Sequence, residues 1–170
     1  GLFRTASEHA AAGQVPETFN LIRACLECAG YALYIAKTPG ADVVWLNRHE
    51  DEAGTKAVKQ AFSVTNVRAI IAGSNRKAAE VFDVLYQQAI DAGAHPNEQS
   101  VTGNMDMIEG DGKIEMLQIL LHGDGIQLDY ALVSAARAGI CALEILQEAF
   151  AERFELLGAR DDILRLRQGL

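Results

Sequence analysis

Leu21-Ile-Arg-Ala-Cys-Leu-Glu-Cys-Ala-Gly-Tyr-Ala-Leu-Tyr-Ile-Ala36 is the stretch whose reading decides the fold. Its apolar residues fall on every face of a helix rather than on one stripe. That pattern predicts a long helix that is buried on most sides or shared with a subunit interface. Pro16 stands just upstream, where an opening helical turn tolerates it. Thr38-Pro39-Gly40 breaks the run downstream, so the element is expected from about Glu17 to Ala36. Within it, Arg23 and Glu27 are the charged interruptions. Their spacing places them side by side on the helix surface, and charges at buried positions need partners. Two roles are open to them: a structural ion pair tying the helix to its neighbours, or the polar lining of an interior site.

Working outward, residues 1–14 are small and polar up to Gly13 and predict a weak helix or a frayed lead-in. Helices are expected at Asp42–Arg48 and Glu52–Ser63, the second with Ala57, Val58, Ala61 and Phe62 at helical spacing. Val64–Ala72 is apolar and β-branched, and fits helix or strand. Gly73-Ser74-Asn75 is a break in which Ser74 or Asn75 suits an N-cap. It opens a helix to about Ala92 that gathers Ala79, Val81, Phe82, Leu85, Tyr86 and Ile90 on one face. After Gly93-Ala94-His95-Pro96-Asn97 the pattern changes. Val101–Ile108, the turn Glu109-Gly110-Asp111-Gly112 and Lys113–Leu121 predict a β-hairpin, since Asp-Gly between such runs is a strong turn signal. The alternative is a helix, because Met116, Leu117, Leu120 and Leu121 also fit that period.

Ile126 to about Leu157 predicts a long helix, thinned by Ala135, Ala136, Ala138 and Gly139 where another helix can approach closely. Gly158 suits its end, and Asp161 or Asp162 is expected to cap a short final helix through Arg167. The expected fold is therefore mainly α: one helical domain over residues 1–170, with a small hairpin at about 101–121 before the long final helix.

The 170 residues are 49% hydrophobic and 22% charged, which describes an ordinary folded domain. With 15 Lys and Arg against 23 Asp and Glu, the net charge of −8 disfavours non-specific nucleic-acid binding, which needs cations against phosphates. No uninterrupted apolar run reaches the roughly 18–20 residues of a bilayer span, so a membrane partner is not expected. The three cysteines make no disulfide framework, and the N-terminal stretch lacks a basic region followed by an apolar one. A cytoplasmic location is the expectation.

Four clusters are candidates for chemistry. Cys25-Leu-Glu-Cys28 lies mid-helix, without the helix N-terminus that activates a redox CxxC. Cys141 is the sole further cysteine, too few thiols for a zinc site, so packing cysteines and no metal are expected. Arg48-His49-Glu50-Asp51-Glu52 follows Trp45 and reads as a solvated helix junction, with Trp45 as a core or interface anchor and Arg48 available to an anion. In His95-Pro96-Asn97, proline holds His95 out of the helical region. An imidazole so held beside an amide can act as an acid/base pair, or simply close a turn. His122-Gly-Asp124-Gly reads as turn chemistry. No phosphate loop, HExxH pair or nucleophile elbow is present, and no cofactor is expected.

Taken in order, the Arg23-Ala-Cys-Leu-Glu27 helix, Trp45 with Arg48, the His95-Pro-Asn turn and the long last helix resemble uncharacterised bacterial all-helical proteins associated with the HEPN-like superfamily. The resemblance covers about residues 17–157. It implies a bundle of four or five helices, often a homodimer, in a group several of whose members are ribonucleases or toxins. Nuclease members carry an Arg followed after four to six residues by His near the start of a late helix. Arg4-Thr-Ala-Ser-Glu-His9 has that spacing but stands at the N-terminal end. The predicted late helix holds Arg137 and Arg153 and no His, and the hairpin departs from a simple bundle.

The leading expectation is a non-catalytic, cytoplasmic, homo-oligomeric interaction or regulatory protein with a protein partner. Its dimer contacts would be Leu21–Ala36 and Ala135–Gly139. The alternative is an RNA- or nucleotide-directed hydrolase with His95 as acid/base, Arg23 or Arg48 holding phosphate, and Glu27 or Asn97 orienting. A helical protein that binds a small ligand shares the same fold. Convergence of His95, Arg23, Glu27 and Arg48 in one cleft would favour the hydrolase.

Overall fold

The computed structural model describes residues 1–94, 98–110 and 112–170, excepting the side chains of Gln99 and Ser100. The fold is mainly helical, with a two-stranded antiparallel hairpin ahead of the long helix Ile126–Ala149. The chain forms two compact units. The first comprises Gly1–Cys25 and Val84–Gly139, the second Leu26–Asp83 and Ile140–Leu170.

In the first unit, α1 (Leu2–Ala11) is a firm helix rather than a frayed lead-in. Its small residues are the reason: Ala6 and Ala10 are fully buried, so they carry no side-chain entropy cost while sealing a helix face. α2 (Val15–Lys37) begins here and buries Val15, Thr18, Phe19 and Ile22. In the second unit it continues the same stripe with Leu26, Ala29 and Leu33. The helix that reads as apolar all round thus has one sealed stripe and half-buried flanks. The C-terminal end of α6 (Arg76–Ala89) passes into a wider, π-type stretch, Ile90–Ala94, ending the regular helix before the expected Ala92. Gly93 leaves helical geometry there with φ +145, packed so that a Cβ would lie 3.1 Å from Pro16 Cα.

α7 (Glu98–Thr102) takes Val101 and Thr102, which the sequence assigned to a strand, into a helical turn. β1 (Met105–Gly110) and β2 (Lys113–Gln118) follow. Their register sets Met105 opposite Gln118, Met107 opposite Met116, and Gly110 opposite Lys113. Asp111 of the expected turn lies outside the described residues. Met116 and Leu117 are therefore strand, not helix, and Leu120 and Leu121 lie in irregular chain beyond it. α8 (Ile126–Ala149) buries Ala131, Ser134, Ala135 and Ala138. The space beside Gly139, where a Cβ would fall 2.3 Å from the nearest ring atom, is filled by Phe3 of the same chain.

In the second unit, α3 (Ala41–Leu46), a 3-10 turn at Asn47–His49 and α4 (Glu52–Ala61) follow one another. Asp51 caps α4, its carboxylate accepting from Gly54 N–H at 2.6 Å. Val64–Ser74 resolves as helix α5: Ser63 accepts from Asn66 N–H at 3.4 Å, and Val67 and Ile71 stack on its buried face. Gly30 lets that face approach, since a Cβ there would lie 2.5 Å from Val67 Cγ1. Asn75 caps α6 as expected, accepting from Ala78 N–H at 3.1 Å. Across its whole length α6 buries Ala78, Ala79, Phe82, Leu85 and Ala89, whereas Val81 turns outward.

The second half of α8 buries Cys141, Ala142 and Ile145. The helix stops at Phe150, whose backbone is non-helical (φ −131, ψ 45), and α9 (Ala151–Leu156) resumes. The expected single helix to Leu157 is therefore two. Gly158, with φ +65, turns the chain into α10 (Ala159–Arg167). Asp161 and Asp162 lie inside its first turn, where their charge complements the positive end of the helix dipole, and make no cap.

Candidate functional site

Arg23 lies in the first unit, half-buried, its guanidinium carbon 5.4 Å from the centre of the Tyr86 ring. Its Nη1 donates to the carbonyl of Ala94 at 3.0 Å. That carbonyl belongs to the residue before His95, while His95 and Asn97, the acid/base candidates, lie outside the described residues. Glu27 falls in the second unit and is half-buried. Both members of the α2 pair thus take half-buried rather than sealed positions. Arg48 is exposed in the second unit, its guanidinium carbon 5.9 Å from the Trp45 ring centre. Each arginine therefore engages an aromatic face in its own unit, a contact that favours a cation over a neutral side chain.

Trp45, expected as a core or interface anchor, is half-buried and packs against the buried cluster of Ala41, Val58 and Phe62. Its ring sits 4.9 Å from Phe62 and 5.5 Å from Tyr31, and Tyr34 reaches Phe62 at 5.0 Å. Cys141 is a buried packing cysteine with Sγ 3.8 Å from the carbonyl oxygen of Ala78. Cys28, by contrast, is at the surface, and Cys25 is half-buried. Among the described residues, no three His, Cys, Asp or Glu side chains gather as metal ligands would. Arg4 pairs with Glu8 at 3.2 Å and His9 meets Gln14, so on α1 these two have separate partners. The Tyr130 phenol is held above its ordinary pKa by burial, and secondarily by the Asp91 carboxylate.

His122 has a structural role that the sequence did not give it. Its backbone N–H donates to Gly13 O at 2.9 Å, and its Nε2 lies 2.8 Å from Asn104 Oδ1. Gly13 has φ +76, and a Cβ on it would lie 2.1 Å from the His122 carbonyl oxygen. The pair clamps the α1–α2 turn to the chain leaving the hairpin. Gly13 itself was the available signal, as a glycine ending a helix.

The hairpin leaves several large apolar side chains in water. Strand side chains alternate between faces, and directly opposed residues share one. Met105–Gln118, Met107–Met116 and Glu109–Ile114 therefore occupy one face, and Asp106–Leu117, Ile108–Glu115 and Gly110–Lys113 the other. All three methionines of the chain lie on the first face. Met107 is 71% exposed, Ile114 65% and Met116 63%, and on the other face Ile108 and Leu117 are also exposed. At the base, Met105 and Gln118 also line an open recess of about 340 Å³, with Pro16, Glu17, Val101 and Asn104 among its other walls. The methionine face thus runs into a recess of a size that holds a side chain or small ligand.

A bare two-stranded hairpin is at best marginally stable in water. One further apolar feature is α8, the described helix long and apolar enough by length and composition to cross a membrane; 44% of its most apolar stretch is buried. Core helices meet the same measure.

Comparison of the chain with protein-family profiles, curated proteins and solved structures yields no match.

Proposed function

We propose that the protein is a non-catalytic interaction or regulatory protein whose docking element is the β1–β2 hairpin. The observation that carries this reading is the exposure of Met107, Ile114 and Met116 on one hairpin face. Side chains of this kind at a surface lose free energy of about 25 cal/mol per Å² of apolar area left in water, which a partner recovers on binding. Two measurements test it. Hydrolysis of RNA or nucleotides by the chain should be no faster than by its His95→Ala variant. Peroxide should oxidise Met107 and Met116 at close to the rate of free methionine. A hydrolysis rate that falls tenfold or more in His95→Ala would overturn the non-catalytic part, and methionines that resist peroxide would overturn the docking part.

A second reading is an RNA- or nucleotide-directed hydrolase, in which Arg23 holds phosphate beside His95. One observation favours it: the Arg23 guanidinium is tied to the carbonyl immediately before His95. The same hydrolysis assay decides it, with Arg23→Ala expected to lose activity together with His95→Ala.

A further inference from the structure

Building on the interaction reading, we infer that the methionine face of the hairpin and the recess at its base dock a basic, amphipathic segment of another protein. Charge is the first argument. From Glu98 to Gly125 the chain carries six Asp and Glu against the single Lys113, which is −5 of the total −8. On the methionine face the charged residue is Glu109, and at the recess it is Glu17; Lys113 belongs to the opposite face. The surface is therefore apolar with a carboxylate on the strand and another at its base, and its complement is apolar with Lys or Arg at both ends. A second copy docking by the same face would bring the same carboxylates without a cation to meet them. RNA and anionic bilayers would be repelled by the same charges.

Methionine is the second argument. Its unbranched, polarisable side chain repacks around different apolar partners, which suits a surface that receives a segment rather than a rigid matching face. Length is the third. The strand rise puts Glu109 roughly 14 Å from Met105 at the base, the span of a helix of about nine residues. Apolar side chains of such a segment would lie on Met107, Ile114 and Met116, and one would enter the recess beside Met105.

The test uses the full chain and a fluorescent amphipathic Leu/Lys peptide, with a Leu/Glu twin of the same pattern. Anisotropy should show binding of the Leu/Lys peptide that weakens with salt, and none of the twin. Met107→Ser with Met116→Ser, and separately Glu17→Gln with Glu109→Lys, should each weaken binding at least tenfold with the helical circular dichroism unchanged. Glu152→Lys with Glu155→Lys on α9, exposed acidic positions in the other unit, should stay within twofold. Equal binding of the twin, or an equal loss in the α9 variant, would overturn the proposal, because attraction would then be non-specific. A dimer in sedimentation that dissociates in the methionine variant would also overturn it in favour of a second copy, while leaving the interaction reading in place. No dimer and no effect of the methionine variant on peptide binding would overturn both.

Discussion

The aromatic cluster of the second unit and the hairpin of the first are both concentrations of large apolar side chains, and they meet opposite fates. Tyr31, Trp45 and Phe62 close on each other at ring separations of 4.9 to 5.5 Å, and Phe62 is 5% exposed. Met107, Ile114 and Met116 stand mostly in water. The difference teaches that apolarity alone does not place a residue inside. The cluster is assembled where α2, α3 and the end of α4 meet. The hairpin is a two-stranded sheet whose large apolar side chains beyond its base are exposed. Residues in the first place hold the fold, and residues in the second are available to something else.

The sharpest way to break this comparison is to damage each side and compare stability. Phe62→Ala should cost about 3–5 kcal/mol, the range for emptying a buried aromatic site, seen as a large fall in the urea midpoint. Gly13→Ala should cost roughly 1–3 kcal/mol, because the left-handed backbone and the His122 carbonyl both oppose a Cβ. The same urea titration measures it, and a neutral result would mean that the clamp relaxes freely. Asp51→Ala removes the α4 cap and should cost about 1 kcal/mol.

Met107→Ser with Met116→Ser should change stability by no more than about 0.5 kcal/mol per site, as at other exposed positions. A cost near that of Phe62→Ala would place the hairpin in the core and collapse the contrast.

The smallest effect concerns pH. The raised Tyr130 pKa means that its contribution to stability is intact below the unfolded value of about 10 and is lost as pH rises through the folded value. Tyr130→Phe should therefore flatten the fall of the unfolding midpoint above pH 10, and an unchanged slope would show that this phenol is not responsible.

Local chemistry made much of this fold legible. Asn75 was readable as a cap because its amide competes for backbone donors, and Asp111-Gly112 marked the hairpin because Asp-Gly between two strand-like runs favours a tight turn. α2 was readable because its apolar residues allow no other element of that length. What stayed hidden depended on contacts distant in sequence. Phe3 fills the space beside Gly139, so the small-residue segment of α8 receives α1 of the same chain there. The stop at Phe150 carries no glycine or proline to announce it, and nothing in its surroundings explains it.

For the site, the pattern located the hairpin but not its exposure, which depends on what the folded chain packs against each strand face. Arg23, Glu27 and Arg48 were visible as charges out of place, yet spacing along one helix could not show that Arg23 reaches Ala94. The Arg48 stacking on Trp45 was closer to hand, lying three residues along one short segment.

The most direct test of the account is the methyl spectrum of the chain labelled at methionine. All three methionines lie on the one hairpin face, so every signal reports on the surface in question. With a soluble paramagnetic agent, the Met107 and Met116 methyls should broaden strongly in the free protein. Addition of the Leu/Lys peptide should then shift them and shield them from the agent. Methyls already shielded in the free protein would contradict the account, since the face would be covered before any partner arrived.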